Sequence, residues 1–348
     1  LLAATAFLPL RGQTQNTVPP VKSIDIYGSS ALDSAAARAE FGPDVLRYVE
    51  LGWQGMNASV PEDADGLEAD MKAINAKIRS ALEARTPLAY FEIGVTIDFG
   101  PPQQIDVTLD VVEKRDEARR MPFRIAPTQE LDDPGDTLAL WKEYEQKMYS
   151  LAMAGAPMRV DEVNCPVLHC IAPFDLPELA PYLPRLNDGA HSHEDELYAV
   201  AATSAAASQR ATALFVLAHT NDAQRLAPVL GRAIYDPESG VRNNAMRVLM
   251  FMAQRGADVD FPVRDLIAAL DFPSSTDRNK AAYTVAALAG EPKYRDIIRG
   301  EAVPAALRLL KLEKPNNHDP AYQILTQVSG ERFAERDYAT WERWAAAR

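Results

Sequence analysis

The sequence predicts an α+β domain near the N-terminus and, after it, an all-helical array of repeated helix pairs. Three observations carry this. Patterning in the order β-α-α-β-β runs from Val21 to Glu113. A proline-marked stretch, with six prolines between 157 and 184, then interrupts regular structure. Beyond it an Arg-x-x-Ala signature recurs at Arg210, Arg242 and Arg278, at spacings of 32 and 36 residues. Helix-pair units of about 30–45 residues cannot bury their apolar faces singly and must stack.

The elements follow in order. Val21–Tyr27 alternates and stops at Gly28, which reads as a strand closing in a turn. A helix is expected over Ala31–Ala39, with a separate short turn at Pro43–Val49. A longer helix is expected from about Ala64 to Arg85, because Leu67, Met71, Ile74, Ile78 and Leu82 form one stripe at helical period. Arg85-Thr86-Pro87 ends it. Phe91, Ile93, Val95, Ile97 and Phe99 then alternate with polar residues or Gly, and Ile105, Val107, Leu109 and Val111 do the same. These are two half-buried strands of an antiparallel hairpin, with one apolar face under the helices and one polar face.

This order, with Ile24-Asp25-Ile26-Tyr27-Gly28 at its start and Val107–Glu113 at its end, resembles the POTRA-type domains of bacterial envelope proteins. The resemblance spans about 95 residues and implies a module that binds other polypeptides, often by adding a strand to a sheet edge. No catalytic residue comes with it.

Residues 116–193 are expected to form a Pro-rich connector, with one helix at about 136–154 carrying Leu138, Trp141, Tyr144, Met148 and Leu151. The two cysteines, Cys165 and Cys170, are candidates for one short disulfide; two buried thiols that never meet is the other reading. His191-Ser192-His193-Glu194-Asp195-Glu196 is the densest group of metal-ligand residue types. Its spacing is not H-E-x-x-H, and acids at a helix N-terminus explain it more simply.

The helical array is assigned to 194–348. Arg210, Arg242 and Arg278 each precede an Ala by three residues and open an apolar helix; Ala321 after His318 gives a weaker fourth register. Second helices are expected at Ala223–Tyr235 and Pro262–Leu270. Asp236-Pro237 with Val241, Arg242 and Ala245 resembles the HEAT-repeat pattern over about 140 residues. The resemblance implies a scaffold that presents a surface to a protein. Arg210, Arg242, Asn243, Asn244, Arg278 and Asn279 are candidate contacts on that surface, with hydrogen bonding between repeats as their simpler role. Phe333, Trp341 and Trp344 are expected to cap the array.

Composition bounds the function. The net charge is −13, which disfavours nucleic acid and anionic membranes as main partners. It is uneven: residues 1–206 hold 17 basic and 32 acidic side chains, and 207–348 hold 19 and 17. Leu1–Leu10, with Ala4-Thr5-Ala6, resembles the end of a signal peptide, and residues 1–19 are assigned to it or to an extended N-terminus. The expected location is therefore periplasmic or extracellular. No phosphate-loop, dinucleotide or nucleophile-elbow motif is present, and no cofactor or metal is assigned. The reading is a non-enzymatic interaction or scaffold protein of the bacterial cell envelope, working with a protein partner or by self-association. Two alternatives stand beside it: a thiol- or metal-dependent enzyme using Cys165/His169 or His191/His193, and a subunit of an extracellular filament.

Overall fold

The computed structural model describes residues 17–56, 61–98 and 102–347. Leu1–Leu10, expected to be the end of a signal peptide, and Phe99 lie outside the described residues.

Strand β1 (Val21–Tyr27) is followed by α1 (Ser34–Met56) and α2 (Pro61–Glu83), then by β2 (Leu88–Asp98) and β3 (Gln104–Glu113). The sheet order is β1-β3-β2, with β3 parallel to β1 and antiparallel to β2. Helix α1 is one element, not a helix and a separate turn, and it runs through Pro43. Its buried row Ala37, Phe41, Val45, Tyr48 and Val49 keeps helical period across the proline. Burial of that row outweighs the one hydrogen bond that Pro43 forfeits. Asp33 caps the helix, its Oδ1 accepting the Ala36 amide at 2.8 Å. Gly28 ends β1 at φ +88°, where a Cβ would fall 2.2 Å from the Val111 carbonyl oxygen and collide with the Arg120 guanidinium. Only glycine fits there.

The short helix α3 (Glu117–Arg120) leads into an extended segment. Helix α4 (Thr137–Met153) starts under Asp133, whose two carboxylate oxygens accept the Leu138 and Ala139 amides at 2.8 Å. The helices that follow are α5 (Tyr182–Ser192), α6 (Glu194–Thr203), α7 (Ala207–Leu217), α8 (Ala223–Ala233), α9 (Ser239–Gln254), α10 (Val263–Ala269) and α11 (Ser275–Ala289). The last four are α12 (Pro292–Glu301), α13 (Val303–Leu310), α14 (Pro315–Ser329) and α15 (Tyr338–Ala346). The signature arginines open α7, α9 and α11, and His318 lies in the first turns of α14. Ala213, Ala245, Ala281 and Ala321 are all fully buried, which lets the helix backbones approach closely.

The described chain forms two compact units whose limits differ from the expected boundaries at 115/116 and 193/194. The sheet unit holds the described residues through Pro122, together with Leu270–Ala282 and the chain from Arg295 onward. The helical unit holds Phe123–Ala269 and Tyr283–Tyr294. Two packing facts produce this division. The C-terminal helices α13 to α15 share a unit with the sheet because the sheet's polar face is buried against the α11 and α14 N-termini. The expected connector is core of the helical unit: Trp141 of α4 sits 5.3 Å from Phe215 of α7, and Tyr144 stacks on Phe174 at 5.0 Å.

Candidate functional site

The repeat arginines share one geometry. Each sends Nη1 back to two carbonyls of the turn before its own helix. Arg210 donates to Ser204 and Ala205 at 2.8 and 3.2 Å. Arg242 donates to Asp236 and Pro237, both at 2.9 Å. Arg278 donates to Phe272 and Pro273 at 2.9 and 2.6 Å. In every case the acceptors are six and five residues upstream. These side chains are buried, which corrects their expected place on an open surface. They hold the turns between helices, and a planar guanidinium with several fixed donors suits that task. His318 does related work in the fourth register, its Nδ1 lying 2.7 Å from the Leu310 carbonyl. The asparagines bridge neighbouring segments: Asn244 donates to the Ala211 carbonyl at 3.0 Å and Asn279 to that of Asn316 at 2.6 Å. Asn243 accepts from Arg247 within its own helix at 3.4 Å.

Each arginine also meets a group from elsewhere in the chain. Arg210 binds both carboxylate oxygens of Asp236 at 2.8 and 2.7 Å. Arg242 lies 4.0 Å from the ring centre of Phe123. Arg278 lies 4.1 Å from the ring centre of Tyr27 and donates to Asp110 at 2.5 Å.

In the sheet unit the polar face of the sheet carries Asp25 and Tyr27 on β1, Asp106, Thr108 and Asp110 on β3, and Tyr90 and Glu92 on β2. It was expected to be open, yet the whole β3 row is buried. Its contacts explain why. Asp25 accepts the Glu313 and Lys314 amides at 2.9 and 3.1 Å. Lys314 donates to Ser275 at 2.9 Å, and Tyr27 donates to Asp271 at 2.6 Å. Arg119 reaches the same Asp271 carboxylate, and Arg120 donates to the Asp271 carbonyl at 2.8 Å. Burial raises the carboxyls of Asp25, Asp110 and Glu92; it pushes Lys314 down to about 8 and Tyr27 up to about 12.

Among the described residues, strand β2 is an edge of the sheet, paired with β3 on one side only. Such a strand presents a row of main-chain donors and acceptors to an added strand.

Cys165 and Cys170 form a disulfide and are buried. Neither sulfur is therefore a thiolate nucleophile, and the Cys165/His169 pairing of the enzyme alternative is not formed. His169 is fully buried, stacked on Phe215 at 4.7 Å and edge-on to Phe251 at the same distance. Burial holds it neutral, and among the described residues neither ring nitrogen has a hydrogen-bond partner. Arg255 clamps the same loop through the Cys165 and Val167 carbonyls at 3.2 and 2.7 Å. His193 pairs with Glu196 at 2.6 Å at the junction of α5 and α6, while His191 is exposed on α5. Among the described residues no three His, Cys, Asp or Glu side chains converge as a metal site. No described helix is long and apolar enough to cross a membrane.

The aromatics expected to cap the array pack against one another in the sheet unit. Trp341 is fully buried, 5.0 Å from Phe333, 6.0 Å from Trp344 and 6.0 Å from Tyr322.

Sequence reasoning missed Asp25, Asp110, Tyr27 and Lys314 as structural partners. One signal was available. Glu92 lies directly opposite Asp110 in the sheet, and like charges paired across strands are unfavourable unless a cation from outside compensates. Arg278 is that cation.

No protein-family model matches the chain, and no curated protein matches it. Among solved structures it is similar to a designed armadillo repeat protein in complex with a (KR)4 peptide, at 14% identity and a TM-score of 0.36. That likeness covers 50% of this chain and 85% of the other.

Proposed function

We propose that this chain is a non-enzymatic protein-interaction or scaffold protein of the bacterial cell envelope. In this reading the POTRA-like β-α-α-β-β unit offers the outer edge of β2 to a partner's strand, and HEAT-like helix pairs supply a rigid frame. The observation that carries it is the eleven-residue strand Leu88–Asp98, hydrogen-bonded along one side only among the described residues. The Cys165–Cys170 disulfide supports an oxidising compartment and hence export.

Site-specific photo-crosslinking tests the reading. A photoreactive residue replaces Asp98 at the exposed end of β2, and Arg79 on α2 serves as control, each in the full chain expressed in bacteria. A discrete protein adduct from the β2 position alone is expected. Adducts that do not differ between the two positions overturn the strand-edge reading.

A further inference from the structure

Within the helical unit, the chain lies across its own helix turns as a ligand would. Residues 123–131 are extended and irregular except for a single bridge. Phe123 covers the Arg242 guanidinium, and the Arg124 amide donates to the Tyr235 carbonyl at 2.8 Å in the turn between α8 and α9. Farther on, the Gln129 carbonyl accepts the Ala205 amide at 2.7 Å in the turn between α6 and α7, where Gln129 and Ser204 form a parallel bridge. Gln209 then donates to the Leu131 carbonyl at 3.1 Å. So this strap crosses two successive repeat turns.

Between the two anchors the strap walls a shallow dimple lined by Ala201 and Ala202 of α6 and by Val229, Arg232 and Ala233 of α8. The strap fills it poorly: Ile125 borders it yet is 94% exposed. The holding forces are slight. Six of its nine residues, 124–126 and 128–130, are exposed, and the main-chain hydrogen bonds named above contribute only about 1 kcal/mol net each. Chain ordering opposes them.

We propose that these turns form a docking groove for an extended peptide of another protein, and that the strap Phe123–Leu131 is its displaceable built-in occupant. The fitting peptide places an aromatic ring on Arg242, offers a free amide at the next residue to the Tyr235 carbonyl, and turns an aliphatic side chain down onto Ala201 and Val229. That last feature favours a foreign peptide over the strap of a second copy, which would expose its own Ile125 just as this one does. The inference rests on the reading of the chain as an interaction protein but uses a surface separate from β2. The two can therefore fail independently.

The test uses the purified full chain and a fluorescent synthetic peptide with the sequence of residues 121–131. The double substitution Phe123→Ala and Arg124→Pro loosens the strap's first anchor and leaves the groove residues intact. Anisotropy should show the peptide binding this variant at least tenfold more tightly than the unaltered chain. The same peptide with its Phe replaced by Ala should bind neither. Equal affinity for both proteins, or binding that does not need the Phe, overturns the proposal. A variant that becomes a dimer in solution overturns the commitment to a foreign peptide in favour of strap exchange. Hydrogen exchange on the unaltered chain gives a reading that needs no mutant: the Ala205 and Arg124 amides should exchange at least a hundredfold faster than amides inside α7. Protection equal to α7 overturns displaceability.

Discussion

Arg278 of helix α11 donates to Asp110 of strand β3 at 2.5 Å, and both side chains are completely buried. The same relation holds between Arg210 and Asp236, at 2.7 Å, where the acid comes from a repeat turn. In the sheet unit a strand thus supplies the carboxylate that a turn supplies in the helical unit. The Arg278 position looks like an ordinary repeat position in sequence, but its partner lies 168 residues away.

Breaking this pair should cost far more than deleting both members. Asp110→Ala leaves a buried guanidinium without its carboxylate, and such a loss costs about 3–5 kcal/mol. Asp110→Ala combined with Arg278→Met should recover much of that loss. Denaturant unfolding of the two single variants and the double variant gives the coupling energy; additive losses would show that the pair is not coupled.

Lys314 gives the sheet unit an alkaline signature. Its folded-state pKa is about 8 against an ordinary 10.5, because burial disfavours the charge. Below pH 8 the lysine is charged in both states and its burial penalty is felt. As pH rises above about 8 the folded state sheds the proton first, so stability rises by up to about 1.4 kcal/mol per pH unit. Lys314→Met should abolish this rise, which spans about pH 8 to 10.5. Tyr27, raised from 10.0 to about 12, works in the opposite sense above pH 10.

The helical unit should be sensitive to acid. His219 is buried, with Nδ1 2.8 Å from Asn187 Oδ1, and burial lowers it from 6.5 to about 3. The unfolded chain takes up the proton near pH 6.5, so stability present above that value is lost as pH falls toward 3. His169 is shifted in the same direction by burial. His219→Gln should reduce the acid slope of the unfolding free energy by about one proton. An unchanged slope would mean that His219 does not titrate with unfolding.

The Cys165–Cys170 bridge closes a very short loop, so it should stabilise by only about 2 kcal/mol. Replacing both cysteines by serine should lower stability by that amount. It should also bring the His169 titration, followed by NMR, back toward ordinary values as the loop loosens around the slot between Phe215 and Phe251. A His169 that stays neutral at acid pH in the variant would assign the clamp to Arg255 instead.

Local pattern was readable from residues alone. Period-two alternation marked β1, β2 and β3, and the Leu67–Leu82 stripe marked α2. The Arg-x-x-Ala spacing marked α7, α9 and α11, and Trp341 with Trp344 marked the last helix, α15. Each of these signals is written in neighbours a few residues apart, where side-chain period and backbone geometry coincide. Pro43 misled because a proline's local cost is visible in sequence, whereas the burial of Phe41, Val45 and Tyr48 that offsets it is not.

Partnership across the chain was not readable. An aspartate on a strand's polar face looks solvated, and a repeat arginine looks exposed, until the other is brought to it. Folding buries Asp110, Asp25, Arg278 and Lys314 together because the charges compensate one another at close range, where water no longer screens them. Sequence therefore established the kinds of elements and their order. The division into units, the occupied arginines and the strap over α6 and α8 came from long-range packing, whose energy depends on distances that no local pattern encodes.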